Sequence, residues 1–171
     1  MFHADERLGP SLRVKLIAEI ARAAGTPEGM VAGQAFDLEA ESRQVNANEL
    51  DTIHHRKTGA LIRAAARCGA MIANANEAEL AAVTEYATNL GLLFQITDDL
   101  LDVTATAEGL GKTPGKDARA RKATYPAVYG IETTRARLNE VYRSACEALN
   151  QIDRASELLQ SIADFIRERQ N

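Results

Sequence analysis

Apolar side chains recur every three or four residues along most of the chain, as they do between Leu12 and Ala23. This interval places them on one face of an α-helix. Gly25 ends the first such helix, and Thr26 and Pro27 suit the N-cap and first turn of the next. The pattern predicts helices over residues 12–24, 27–42, 48–74, 77–103, 132–149 and 155–169, with a further restart capped by Thr124.

The alternation typical of strands is hard to find in this chain. Tryptophan is absent, aromatic residues make up 5% of the sequence, and β-branched runs are missing. The predicted helices over 48–74 and 77–103 are longer than usual, which favours a helical bundle. We therefore expect an all-α fold, and residues 1–171 suit a single domain with a real core.

Composition limits the compartment and the partners of the chain. A net charge of -4 without any basic run disfavours nonspecific nucleic-acid binding and a membrane-surface patch. No apolar run is long enough to span a membrane, so we expect no stable membrane anchoring. Cys68 and Cys146 lack metal-ligand spacing and indicate free thiols in a reducing compartment. The chain is accordingly predicted to be cytoplasmic.

An acidic stripe interrupts the otherwise apolar helix predicted over 77–103. At about 100° per residue, Gln95, Asp98, Asp99 and Asp102 share one side of it. Like charges one turn apart cost roughly a few tenths of a kcal/mol, and more where they are partly buried. A bound cation would offset this cost, and Mg²⁺ prefers such an all-oxygen surface. The alternative is a solvated helix end.

A glycine-rich loop that carries lysines follows the stripe. Lys112, Lys116 and Lys122 lie within reach of the helix end, and an ammonium group suits phosphate oxygens. Carboxylates for metal followed by lysines indicate a metal–diphosphate site; a flexible solvated loop is the alternative, and the better one for Lys116. A nucleotide-binding P-loop is rejected because Thr106 replaces its first glycine and a helix precedes the loop.

Other polar positions are ambiguous when taken alone. Gly59 inside a predicted helix suggests a close helix approach or a local distortion that would let Lys57 and Thr58 face a cavity. An exposed lysine beside a packing glycine explains them equally well. Gln34 and Asp37 fit a polar helix face. The adjacent histidines at 54 and 55 are interpreted as surface or packing residues, since zinc-ligand spacing is missing.

Five segments in the same order resemble the trans-isoprenyl diphosphate synthases, closest to the bacterial farnesyl or geranyl diphosphate synthases. They are Gly33-Gln34 with Asp37-Leu38, His55 to Ile62, Phe94-Gln95 with Asp98 to Asp102, Leu110-Gly111-Lys112 with Gly115-Lys116-Asp117, and Lys122 to Pro126. The resemblance implies an isoprenoid-synthase-type helical bundle. It also implies a prenyltransferase that joins an allylic diphosphate to isopentenyl diphosphate.

The resemblance also implies roles for individual residues. Asp98, Asp99 and Asp102 would form the second aspartate-rich motif and hold Mg²⁺, or Mn²⁺ in its place. Lys57, Lys112 and Lys122 would contact the leaving diphosphate. Thr58 and Gln95 would direct oxygen dipoles toward the developing carbocation. These groups would stabilise the separating charges in a dry pocket.

The chain departs from the family pattern at two sites. It has no other Asp-Asp-x-x-Asp motif and no Arg-Arg pair, and the isopentenyl-binding residues have no counterpart. We therefore expect a partial domain, the C-terminal half of a polyprenyl synthetase domain, inactive alone and prone to self-association. It would act as a homodimer or with an N-terminal half. The alternative is a noncatalytic partner subunit of a complete synthase; the three aspartates and few aromatics disfavour a terpene cyclase.

Overall fold

The computed structural model describes residues 7–41, 43–104 and 123–169, and these ranges contain helices and no strand. The helices are α1 (Pro10–Ala24), α2 (Met30–Ala40), α3 (Ala47–His54), α4 (Ala60–Ile72), α5 (Glu77–Thr104), α6 (Tyr125–Tyr129), α7 (Ile131–Leu149) and α8 (Glu157–Glu168). A π-helical turn over His55–Gly59 joins α3 to α4, so the two form one continuous rod. The all-α prediction is confirmed.

The predicted start of the second helix is wrong. α2 begins at Met30 with Gly29 as its N-cap, so Thr26 does not cap it and Pro27 does not occupy its first turn. The reason is a close approach between the connection and the end of α1. A Cβ on Gly29 would lie 2.4 Å from the carbonyl oxygens of Arg22 and Ala23. The chain must therefore turn back past α1 before the helix can start.

The core forms around α5, which packs mainly against α7 and α4. Tyr86, Leu93 and Ile96 of α5 are fully buried, and Tyr125 of α6 joins them. Thr124 caps α6 through its hydroxyl, which accepts the backbone N–H of Ala127, as the sequence predicts. The described part of the chain contains no helix long and apolar enough to cross a membrane.

Glycines let three helical segments approach closely at the π-helical turn. A Cβ on Gly33 of α2 would lie 2.2 Å from the backbone nitrogen of Lys57, and one on Gly91 of α5 would lie 2.8 Å from the Cα of Gly59. The turn is therefore held between α2 and α5. Both suggestions made by Gly59, a close approach and a local distortion, are confirmed.

Apolar side chains remain exposed on two sides of the bundle. Val14 of α1 and Leu38 of α2 are 66% and 56% exposed. On α8, Leu158 and Phe165 are 75% and 71% exposed and lie on one side with Ile162. Exposed apolar areas of this kind usually mark an interface.

Candidate functional site

The π-helical turn brings two of the predicted residues beside neighbouring helices. Lys57 places its Nζ 2.5 Å from Oδ2 of Asp37 on α2, and the lysine side chain is 31% exposed. Thr58 donates its hydroxyl to Oε1 of Gln95 on α5 at 2.8 Å. The extra residue in a π-helical turn shifts side-chain directions relative to the helix on either side, and such turns are frequent at functional sites. The turn therefore brings Lys57 to Asp37 of α2 and Thr58 to Gln95 of α5.

His54 also contacts Gln95, and it is a site residue that the sequence did not reveal. Its Nδ1 is 3.2 Å from Oε1 of Gln95, and its Nε2 is 3.8 Å from Oδ2 of Asp99. Burial lowers the pKa of His54 to about 4, so the ring is neutral at pH 7. The ring also stacks on Tyr125 at a centroid distance of 5.3 Å. The packing interpretation therefore holds, but it omits the polar contacts.

The aspartates of the acidic stripe face different surroundings. Asp99 is buried and accepts the backbone N–H of Tyr125 at 2.8 Å. Asp98 is 51% exposed and Asp102 is exposed, one turn farther along α5. A guanidinium nitrogen of Arg169 lies 2.9 Å from Oδ1 of Asp98, so this carboxylate of the stripe forms an ion pair with an arginine. The motif thus has one anchoring carboxylate and two that face outward.

Tyr125 connects Asp99 to residues of α3 and α7, a role that the sequence did not indicate. Its hydroxyl donates to a carboxylate oxygen of Asp51 on α3, whose other oxygen accepts from Arg137 of α7 at 3.2 Å. Burial, followed by this hydrogen bond, raises the pKa of the Tyr125 hydroxyl. The sequence marked this position as the start of a helix and as part of the segment Lys122 to Pro126, but it gave no sign of these contacts.

The outward carboxylates fit a magnesium ion that is completed by other ligands. Mg²⁺ usually binds through one or two carboxylates and fills its shell with water and phosphate oxygens. Asp98 and Asp102 offer two such carboxylates. In the described ranges no group of three or more His, Cys, Asp or Glu side chains is arranged to hold a metal.

Three predicted residues cannot be placed in this site. Lys112, Lys116 and Lys122 lie outside the described residues. Gln34, predicted to share a polar helix face with Asp37, lies exposed on α2. Asp37 instead faces Lys57, so this carboxylate belongs to the site.

Comparison with known proteins identifies the family. The sequence matches the polyprenyl synthetase family over residues 8–159, nearly the whole chain. The chain belongs to the polyprenyl synthetase family. The resemblance to the trans-isoprenyl diphosphate synthases is therefore confirmed.

Similar proteins include farnesyl and geranylgeranyl diphosphate synthases. A farnesyl diphosphate synthase from Geobacillus stearothermophilus is 39% identical over 96% of this chain and 55% of its own length. A geranylgeranyl pyrophosphate synthetase from the archaeon Geoglobus acetivorans has a TM-score of 0.85 and 26% identity, covering 98% of this chain and 61% of its own.

A second similar structure contains ligands. A geranyltransferase from Helicobacter pylori, complexed with magnesium and isoprenyl diphosphate, has a TM-score of 0.77 and 27% identity, covering 96% of this chain and 55% of its own. The chain spans about half the length of the curated relatives it matches. The helical bundle is therefore the isoprenyl-synthase fold over about half of its usual extent.

Proposed function

We propose that this chain forms part of the active site of a short-chain prenyltransferase of the farnesyl or geranylgeranyl diphosphate synthase type. The allylic C–O bond would break with its electron pair leaving on diphosphate. The double bond of isopentenyl diphosphate would then attack the cation, and a proton would be lost. The observation that carries this proposal is the π-helical turn, which holds Lys57 beside Asp37 of α2 and Thr58 against Gln95 of α5, one turn before the acidic stripe.

Each residue of the site would act on a different charge. Lys57 is half-exposed beside Asp37 and would turn its ammonium group to the leaving diphosphate. Thr58 and Gln95 are held by one hydrogen bond and would present fixed dipoles to the cation. The predicted diphosphate ligands Lys112 and Lys122 would add positive charge from the segment between α5 and α6.

Asp98, Asp99 and Asp102 remain the proposed metal residues. Asp98 and Asp102 would offer oxygens directly or through water. Asp99 would act from its buried position on α5, where it accepts the backbone N–H of Tyr125 at the start of α6. Mg²⁺, or Mn²⁺ in its place, would neutralise the charge on the departing diphosphate. The relative that was solved with magnesium and isoprenyl diphosphate supports this assignment.

We further propose that residues 1–171 are the C-terminal half of a polyprenyl synthetase domain. The first aspartate-rich motif and the isopentenyl-binding residues have no counterpart here, so half of the metal cage would come from elsewhere. The chain would pair with an N-terminal half or form a homodimer through its exposed apolar faces. Its unpaired thiols at Cys68 and Cys146 support a reducing compartment, the cytoplasm.

Two activity measurements test this proposal. The isolated chain should give no farnesyl or geranyl transfer from labelled isopentenyl diphosphate, and robust transfer would contradict the partial cage. Transfer should appear in a mixed complex with a chain that carries the first aspartate-rich motif. Asp98→Ala should then reduce kcat by roughly 100-fold or more, as loss of a charge-stabilising group does. Unchanged activity would favour a noncatalytic partner subunit instead.

A further inference from the structure

The helix α2 contacts Lys57 at two points, its backbone and its ammonium group. Gly33 lies against the backbone, because a Cβ on Gly33 would be 2.2 Å from the nitrogen and 2.6 Å from the Cα of Lys57. Asp37, one turn further along α2, places Oδ2 2.5 Å from the lysine Nζ. Residues four apart lie on the same face of a helix. One face of α2 therefore determines both where this lysine starts and where its charge lies.

A neighbouring pair of residues holds the π-helical turn in the same register on α2. The guanidinium group of Arg56 lies 5.0 Å from the centre of the Phe36 ring, and it donates to the carbonyl oxygen of Pro27 at 3.2 Å. Arg56 and Lys57 thus contact consecutive residues of α2, Phe36 and Asp37. The turn cannot slide along α2 without breaking both contacts. The ion pair is therefore set by how the two backbones pack.

The ion pair uses only part of the capacity of Lys57 to donate hydrogen bonds. An ammonium group has three N–H donors, so one bond to a carboxylate leaves two of them. Within the described ranges Asp37 is the one residue that accepts a hydrogen bond from Lys57, and the lysine side chain is 31% exposed. The remaining donors are therefore open to a ligand that arrives from the exposed side.

An anchored ammonium group binds an anion better than a free one does. The long stem of a lysine loses rotamer freedom when its charge is fixed, and this cost weakens ligand binding unless the protein already orders the side chain. Asp37 orders it in the free chain. The carboxylate also repels an anionic ligand, so it favours binding only if the ordering of Lys57 outweighs the repulsion.

We propose that Asp37 is a positioning residue, which holds the ammonium group of Lys57 through one donor and so directs the other two at the diphosphate. Gly33 is needed as well, because it lets the backbone of Lys57 come close enough for this ion pair. Gly33 and Asp37 thereby gain a joint role, where the sequence predicted only a polar helix face. The ordering of the lysine is a property of the free chain; its use on diphosphate rests on the proposed function.

The mobility of the Lys57 ammonium group tests the positioning without any ligand. Spectra that correlate ¹⁵Nζ with its protons record hydrogen exchange and internal motion, and Lys57→Met identifies the signal. Lys15, which is exposed on α1, is the internal reference. We expect slow exchange and restricted motion at Lys57, both lost in Asp37→Ala and partly kept in Asp37→Asn, whose amide oxygen still accepts one N–H. Equal mobility of Lys57 and Lys15, or an unchanged signal in Asp37→Ala, would overturn the proposal.

Pyrophosphate binding tests the consequence of this positioning. In calorimetric titrations with Mg²⁺ present, Asp37→Ala should bind inorganic pyrophosphate about fivefold more weakly and Asp37→Asn less so, although both variants lose a negative charge. Glu41→Gln removes a charge at the end of the same helix and should not weaken binding. In a Lys57→Met background, Asp37→Ala should cause no further loss, because no ammonium group remains to be held. Equal losses in both backgrounds would show that Asp37 contacts the ligand itself, against the proposal.

The two experiments distinguish failure of the positioning from failure of the proposed function. A chain that binds no pyrophosphate in the presence of Mg²⁺ would contradict the metal–diphosphate site, while the ammonium spectra would still decide whether Asp37 orders Lys57. Binding that depends on Mg²⁺, together with a mobile Lys57 ammonium group, would agree with the proposed function and refute the positioning.

Discussion

Gly33 sets how closely α2 approaches the π-helical turn, and Gly33→Ala tests this directly. The new Cβ would lie 2.2 Å from the backbone nitrogen and 2.6 Å from the Cα of Lys57. These are backbone atoms and cannot rotate away, so the two helices must separate by roughly 1 Å. We expect this overlap to cost about 3 kcal/mol, offset by about 1 kcal/mol from the better helix propensity of alanine.

Gly69→Ala is the matched control for this substitution. Gly69 lies inside α4, and a Cβ there would meet nothing within 4 Å. It should stabilise the chain by about 0.5–1 kcal/mol, whereas Gly33→Ala should destabilise it by about 2 kcal/mol. In a domain of this size the difference corresponds to roughly 5–10 °C in Tm by circular dichroism. Equal Tm values for the two variants would refute the close approach of α2 to the turn.

Three further predictions concern the hydrogen bond between Tyr125 and Asp51, the pH dependence of stability, and the exposed apolar side of α8. Tyr125→Phe should lower the free energy of unfolding by about 1–3 kcal/mol in urea titrations, because Asp51 loses a buried donor, while Tyr129→Phe should change little. Burial lowers the pKa of His54 from 6.5 in the unfolded chain to about 4 in the folded one, so the free energy of unfolding should be highest above pH 6.5 and fall by about 3 kcal/mol toward pH 4. His54→Gln should remove this loss, and a variant with the same pH profile as the original chain would contradict the prediction. Sedimentation velocity should show self-association that weakens when Leu158 and Phe165 are both changed to Ser, and a stable monomer would contradict this.

The sequence predicted the parts of the site that depend on local periodicity. The acidic stripe of α5 followed from its helical spacing, and Gly59 marked a position where a helix would be expected to lose stability. The structure shows that the residue which must lack a Cβ at this approach is Gly91, whose Cβ would lie 2.8 Å from the Cα of Gly59, whereas a Cβ on Gly59 would meet only the carbonyl oxygen of His54 at 3.5 Å. Both are signals that one helix carries by itself.

The missed features depend on contacts between distant segments. His54 and His55 are neighbours with similar sequence surroundings, yet one is buried against Gln95 while the other donates to its own helix. Only the packing of α3 on α5 and α6 separates them. The wrong start of α2 has the same origin, because Gly29 must clear the end of α1 before the helix can begin. No local propensity records that contact.

The central claim, that α5 and the π-helical turn form a metal–diphosphate surface, is tested most directly by calorimetric titration of inorganic pyrophosphate into the chain. We predict binding that requires Mg²⁺ and weakens by about tenfold or more, at least roughly 1.4 kcal/mol, in Asp98→Asn and in Lys57→Met. Asp153→Asn makes the same charge change in the exposed connection between α7 and α8 and should leave the affinity unaltered. Binding that is independent of Mg²⁺, or equal in Asp98→Asn and Asp153→Asn, would contradict the claim.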